Sequence, residues 1–495
     1  MFTDETRYRV WEQIRQHDLR AMTRLLPQSV LVQAGEKAGL QIVHSALALP
    51  NLVWLGVLSA VHSSQSFGSV LSLTVRLLDM SANGLPEPIA QVRKNRTRRQ
   101  ATRSKHDPRG KEVTEVTEEA FAQARKRMPA TLWNVLIELL TERFEAEHQP
   151  LNQWKQFRLL ALDGSTIRLP QYKSLAKHFG TAGNGKSRTV QARMVMLQLP
   201  FVRLPWRYEL CRIDEGERTI AARLLNTVRR NDLVLMDQGF WSYGLFHQIQ
   251  AAGASFAIRQ HPSASMKTLR KLGPKERIVR WKTPTGPRWR QENLSESIDL
   301  RVINYQIKGF APSAVVTNVL DSKRISRDDW IRMATESEPG RPLDRSVRLR
   351  VGLYHRRWEI ETTFHEMKVH QGLERSLRSR TAESIRFEVA GHVVLYLLVR
   401  WLMVEAAQRA APDGDPLGLS FKHALQELKT AWPLLLTSTP TAIGHRILPK
   451  LLKAIASHEV QWRPGRSFPR NTSSAAKKRK KQAPPNTRKT KQIQA

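Results

Sequence analysis

Cysteine is almost absent: one residue of 495, Cys211, carries a thiol. An internal disulfide and a cysteine-built zinc site are therefore excluded, which fits a reducing cytoplasm. Acids are also scarce, 44 Asp and Glu against 80 Lys and Arg, for a net charge of +36 and a pI near 10.9. That imbalance suits a polyanionic partner better than a small acidic substrate. Long apolar runs are missing. The strongest, Val389–Val404, is broken by His392 and Arg400 and is short for a membrane span, so a buried helix is expected there and no membrane partner. The opening MFTDETRYRV does not have the layout of a signal peptide. No phosphate-loop or dinucleotide fingerprint occurs, so no nucleotide cofactor is expected.

The cations are unevenly placed. From Arg463 to Ala495 there are eleven Lys and Arg and no acid, which takes the charge of the rest from +36 to +25. The body is basic without its tail, and the tail, 461–495, has no apolar periodicity and is expected to be disordered. A second run, Arg93–Lys111, reads RKNRTRRQATRSKHDPRGK. Solvation is the ordinary fate of such runs, but in a protein that holds DNA both are candidate phosphate contacts.

The length allows two or three domains with their own cores. Residues 1–150 read as mostly helical, with apolar recurrence at three and four residues in Glu12–Leu26, Val30–Leu49, Leu71–Met80 and Glu118–His148. Residues 151–261 read as α/β. Phe157–Leu162, Ala192–Leu199, Asp232–Met236 and Ser255–Gln260 are strand-like, and Glu215–Val228 is a helix candidate. The glycine loop Gly180–Lys186 fits a hairpin turn better than a phosphate cradle. Residues 262–312 are polar and broken by Gly and Pro, carry Trp281 and Trp289, and end in strand-like Ile298–Ile307. Ala314–Val319 reads as a strand that opens 313–410, and 411–460 as a small helical region.

The segment Leu353–His370, LYHRRWEIETTFHEMKVH, has no Pro or Gly and predicts a helix. At ~100° per residue, Arg357, Glu361 and Lys368 fall about 60°, 20° and 40° to one side of Tyr354, while Glu359 and Glu366 lie about 140° and 120° to the other. Ile360, Phe364 and Met367 form an adjacent apolar stripe. A charged helical face is most often simply solvated. Here one carboxylate shares its stripe with two cations and a phenol, the set that a metal-dependent phosphodiester site uses. Two upstream acids stand at the ends of apolar runs. Asp163 follows Phe157–Leu162, with Asp163-Gly164 read as its turn, and Asp237 follows Asp232–Met236. Each alone is an ordinary turn aspartate, but an acid at the end of a buried strand is costly unless paired or bound to metal.

Tyr354-x2-Arg357-x3-Glu361-x6-Lys368, with Asp163-Gly164-Ser165 and Asp237-x-Gly239-Phe240 upstream, resembles the insertion-sequence-four family of bacterial DDE transposases. The resemblance implies an RNase H-like catalytic core with a β-rich insertion at 262–312, preceded by an α-helical region that binds transposon ends. It makes Asp163, Asp237 and Glu361 the catalytic acids, holding two Mg²⁺ ions ~3.5–4 Å apart, with Mn²⁺ as a substitute. Tyr354, Arg357 and Lys368 become DNA contacts. Water frees a 3′-OH at the transposon end, which attacks target DNA; in relatives it first attacks the opposite strand to give a hairpin. The expected partners are duplex DNA, as terminal inverted repeats and target, and a second copy at synapsis, at the nucleoid in the cytoplasm. In relatives an aromatic before the strand after the insertion stacks on a flipped base. Here Ser313 holds that position. Two alternatives stay open, a DNA-binding regulator with a vestigial site and an RNase H-like repair or resolving nuclease.

Overall fold

Two prolines punctuate the N-terminal helices. Pro27 and Pro129 stand directly before helices α1 (Gln28–Lys37) and α4 (Ala130–Glu147), where a missing N–H leaves no helical bond unmade. The computed structural model describes residues 26–40, 49–70, 73, 118–148, 151–331 and 352–460, with short gaps at 184, 186–187, 263, 286–293, 307–311, 412 and 439. Between α1 and α4 lie α2 (Leu49–Val61) and α3 (Glu118–Lys126). The single helix expected over Glu118–His148 is thus two, split at Pro129. The one expected over Val30–Leu49 stops at Lys37, beside Gly39 at φ +71°, a conformation that glycine adopts without strain. The expected helices Glu12–Leu26 and Leu71–Met80, apart from a residue or two, lie outside the described residues. So do both basic runs and Trp289.

The strands follow in chain order: β1 (Gln153–Trp154), β2 (Phe157–Arg168), β3 (Thr181–Ala182), β4 (Thr189–Leu199), β5 (Leu204–Arg212), β6 (Asp232–Met236), β7 (Ser255–Arg259), β8 (Lys267–Gly273), β9 (Glu276–Lys282), β10 (Ser297–Tyr305) and β11 (Ser313–Thr317). All belong to one sheet. Its main path runs β3-β4-β2-β6-β7-β11-β10-β9-β8, with β5 on β4 and β1 on β2. Strand β4 is antiparallel to both β5 and β2, while β6 and β7 lie parallel to β2. That five-strand order is the RNase H-like core. Helices α5 (Lys173–Phe179), α6 (Glu217–Leu225) and α7 (Tyr243–Ala251) connect these strands. Strand β6 is buried along its whole length, as a central parallel strand must be.

Strand β5 is not among the expected strands, although Trp206, Tyr208 and Leu210 alternate inward with Arg207 and Glu209. The glycine loop does close a hairpin, since β3 pairs antiparallel with β4. Asp163-Gly164 is not a turn. Strand β2 runs on to Arg168 because β4 keeps pairing with it, Asp163 opposite Met196 and Arg168 opposite Gln191.

After β11 the chain returns as helix α8 (Glu359–His365), then α9 (Ala382–Ala410), α10 (Phe421–Thr437) and α11 (Leu448–Ala456). The threonine hydroxyl of Thr381 caps α9 by accepting from the Ser384 N–H. Helix α9 is long and apolar enough to cross a membrane by length and composition, yet its most apolar window is wholly buried inside the molecule. It is apolar on all sides because it lies among other helices. It crosses α2 so closely that a Cβ on Gly391 would stand 2.4 Å from the Gly56 carbonyl oxygen.

Candidate active site

The register of β2 against β6 ends with Leu162 beside Met236. Asp163 and Asp237 are the next residues on these parallel neighbours, so the sheet brings together two acids 74 positions apart. Asp163 is the more buried, its side chain 18 % exposed against 44 % for Asp237. The Gly164 N–H donates to Asp163 Oδ1 at 2.8 Å and fixes that carboxylate. Behind Gly164 packs Glu217, which accepts from Arg193 Nη1 at 2.5 Å; a Cβ at 164 would lie 2.9 Å from Glu217 Oε1.

The third acid arrives on a backbone of mixed winding. Leu353–Trp358 is 3₁₀, Glu359–His365 is α and Glu366–His370 is π, not one regular α-helix as expected. A 3₁₀ turn winds tighter than α and a π turn looser, so their departures oppose, and Arg357, Glu361 and Lys368 still face the strand ends. Arg357 Nη1 lies 3.0 Å from Glu361 Oε1 and 3.4 Å from Asp163 Oδ2, and Nη2 lies 3.7 Å from Asp237 Oδ1. One nearly buried guanidinium touches all three acids. Lys368 Nζ donates to Ser165 Oγ at 2.7 Å and to the Thr166 carbonyl at 2.5 Å, tying the helix to β2 beyond Asp163. Burial pushes the Lys368 ammonium below the usual lysine range, against the pull of Glu374.

Tyr354, expected at a phosphate, points inward. It is buried, and its hydroxyl donates to the Met236 carbonyl at 3.2 Å, anchoring the end of β6 just before Asp237. Burial pushes the Asp163 carboxyl up to about 6, against Arg357 and the Gly164 N–H. Three carboxylates against one guanidinium leave an excess of negative charge on oxygen donors alone, which fits hard divalent ions. Among the described residues no three His, Cys, Asp or Glu side chains form a ready-made ion cage; Arg357 shares the acids instead.

Glu359 and Glu366 lie on the other side of the helix, as the wheel predicts. Glu359 pairs with Arg203 at 2.6 Å, and Glu366 with Arg203 at 2.9 Å and with the buried Arg400 of α9. Tyr396 of α9 donates to Glu366 Oε2 at 2.6 Å. Burial alone would raise the Glu366 carboxyl, but Arg400 and Arg203 outweigh it and hold it below the usual range. This network, which no sequence motif announces, fastens the α-to-π junction to the core. Equally unannounced is Trp358, 48 % exposed on the turn that carries Arg357. Trp281 packs against Trp241, Tyr243 and Phe246, and Ser313 lines a polar cavity of about 470 Å³ beside Gln238 and Tyr305.

A family model described as a transposase DDE domain matches residues 154–398. The transposase InsG of insertion sequence element IS4 from Escherichia coli (strain K12) is 26% identical over 368 residues, covering 72% of this chain and 76% of that protein. The putative transposase InsZ of the same organism is 26% identical over 140 residues, 28% of this chain and 46% of that one. Among solved structures, a piggyBac transposase synaptic complex with hairpin DNA aligns over 93% of this chain and 89% of that chain at 10% identity, with a TM-score of 0.39; the fold assignment rests on the strand order and not on that likeness. With two acids at neighbouring strand ends, a third on the returning helix and a match spanning 154–398, the chain belongs to the IS4-type DDE transposases.

Proposed function

We propose that this chain cleaves duplex DNA at the ends of an insertion sequence and joins the freed 3′-OH to target DNA, with Asp163, Asp237 and Glu361 as its catalytic acids. One observation supports this above the others: these three carboxylates, from two parallel strand ends and one helix, meet on a single guanidinium. In the first step the oxygen of water forms a bond to the scissile phosphorus as the bond to the 3′ oxygen breaks, leaving a 3′-OH and a 5′-phosphate. In the second, that 3′-OH attacks a target phosphodiester and displaces another 3′ oxygen. Divalent ions such as Mg²⁺ or Mn²⁺, held by the three acids, would supply activation of the attacking oxygen and stabilisation of the leaving one.

The chain's own residues orient the reacting groups. Gly164 fixes the Asp163 carboxylate, Tyr354 anchors the strand end before Asp237, and the Arg203–Glu366–Arg400 network sets the depth of the Glu361 helix. Arg357 supplies counter-charge to the acids and, with Lys368, positive charge toward a scissile phosphate. Joining two element ends calls for two copies of the chain in one complex.

Alanine at Asp163, Asp237 or Glu361 should each abolish nicking of a plasmid that carries the element's ends in Mg²⁺. Gel-shift binding in Ca²⁺ should persist. Appreciable cleavage by Asp237→Ala would sink the three-acid assignment.

A further inference from the structure

Strand β2 runs past Asp163 to Arg168, and the chain that follows the Glu361 helix fastens onto this extension. Gly372, at φ +73°, ends the π turn and leads into a short helix, Leu373–Ser376. That helix carries Glu374, whose side chain is largely buried. Glu374 Oε1 accepts from the Arg168 backbone N–H at 3.3 Å, and Oε2 from Arg168 Nε at 3.0 Å. The same Oε1 stands 3.7 Å from Lys368 Nζ. No step of the cleavage or joining reaction uses this carboxylate.

Lys368 is partly buried, and its Nζ donates to two neutral oxygens, Ser165 Oγ and the Thr166 carbonyl. An ammonium carries three donors, so one remains for a phosphate. Burial favours the neutral amine, and a neutral amine does not hold a phosphate by charge. The neighbouring charges decide the balance. From β2, Arg168 opposes the ammonium; from the short helix, Glu374 favours it. Asp163 and Glu361 face Arg357 instead. On the other side of the π turn, Arg400 of α9 pairs with Glu366, and Lys422 of α10 acts on His370. Arg168 is largely exposed, so water screens its repulsion. Glu374 is the only ion-pair partner of Lys368 among the described residues. At 3.7 Å it stands beyond hydrogen-bond reach and lends charge without occupying the remaining donor.

We infer that Glu374 is a positioning residue of the phosphodiester chemistry: it supplies the counter-charge that keeps Lys368 an ammonium, held on β2 and pointed at the scissile phosphate. The inference rests on the transposase reading and adds to it a residue outside the three acids and the Tyr354–Lys368 stripe.

The test is single-turnover nicking of an end-bearing duplex in Mg²⁺, followed from mildly acidic to alkaline pH, for four full-length chains: the parent, Glu374→Gln, Lys368→Arg and the double variant. Each profile is scaled to its own rate near neutral pH. Glutamine keeps the shape of Glu374 and removes its charge. Glu374→Gln should fall off at lower pH than the parent, its scaled rate at pH ~9.5 reduced about threefold or more, because a nearby opposite charge favours the ionised form. A guanidinium stays charged throughout, so the double variant should follow the profile of Lys368→Arg. A glutamate that only braces the fold would lower the rate at every pH and in both backgrounds alike. A Glu374→Gln profile that overlays the parent overturns the inference, and so does an equal alkaline loss in the double variant. If Tm shows that Glu374→Gln does not fold, Glu374→Asp in the parent and in Lys368→Arg decides. Drawing the charge back by one methylene should move the alkaline limb the same way by less, and only in the parent; an unmoved limb overturns the inference there. A parent that nicks the duplex at no pH overturns the transposase reading, and this inference with it.

Discussion

A guanidinium within 3.0–3.7 Å of three carboxylates balances one of three negative charges and fixes the direction of all three. Lysine offers one point charge in place of that planar fork. Arg357→Lys should therefore lose about tenfold or more in single-turnover cleavage of pre-nicked ends, ~1.4 kcal/mol of transition-state stabilisation. Lys368→Arg should lose less, because the Ser165 hydroxyl and Thr166 carbonyl can accept from any nearby cation. A larger loss at Lys368 than at Arg357 would reverse these roles. The residue types and their order are readable in the sequence, since the acids stand at the ends of recognisable apolar runs. The inward turn of Tyr354 is not, because nothing local signals that the Met236 carbonyl lies within its reach. A buried histidine gives a separate residue-scale test. Burial holds His392 neutral, its pKa pushed down to about 3, with its Nε2 2.6 Å from Ser376 Oγ. The unfolded imidazole protonates near pH 6.5 and the folded one much lower. The stability that the neutral ring contributes is therefore complete above pH ~6.5 and lost progressively as pH falls toward 3. Denaturation of His392→Asn should show a shallower acid decline than the parent over that window; identical profiles would rule the histidine out as its cause.

Elements hold the site where single residues only decorate it. The 3₁₀–α–π winding keeps the Glu361 stripe on one face although the helix is not regular, so a uniform wheel reaches the right face by compensation. The wheel also turns Glu359 and Glu366 away, but it does not show where they go, since Arg203 and Arg400 lie on distant elements. Removing one member of a buried charge network leaves its partners uncompensated. Glu366→Ala should cost ~3–5 kcal/mol in chemical denaturation, with Glu359→Gln costing less because Glu359 touches the rim of the network. Equal stability of Glu366→Ala and the parent would show that the network is not needed to seat the helix. The crossing of α2 and α9 makes a sharper demand. Gly391→Ala drives a methyl into the Gly56 backbone, an overpacking error worth ~1–3 kcal/mol. Calorimetry should show a lower Tm, with residual cleavage at low temperature because the acids are untouched. The apolar run that forms α9 is legible as a buried helix, but the glycine contact is not, because it depends on a partner more than three hundred residues upstream.

The whole molecule is a basic body around one sheet. Its charge is plain from composition, and the α/β order of the core from the alternation of apolar runs. The extent of the sheet is not, because β8 and β9 are rich in Lys and Arg and carry too little apolar pattern to announce strands. The Arg463–Ala495 tail adds eleven cations and should supply affinity without selectivity. Deleting it should flatten the salt dependence by ~0.9 in log–log slope for each phosphate that the tail neutralises, while the preference for element ends over random duplex stays as it was. Loss of that preference on deletion would give the tail a reading role.

Among the described residues strand β11 is the last of eleven strands in the sequence, yet it lies between β7 and β10 in the sheet. While the chain is being made, β8, β9 and β10 can pair with one another as a local meander. The core can assemble β2, β4, β5, β6 and β7 separately. Nothing in the ladder joins the two until residues 313–317 exist. β11 is thus a keystone laid last, and the contacts that it closes are long-range ones, which form slowly. Through β11 the β8–β10 meander and the acid strand ends become one continuous ladder, a join that the packing of Trp281 on Trp241, Tyr243 and Phe246 reinforces from the side-chain layer.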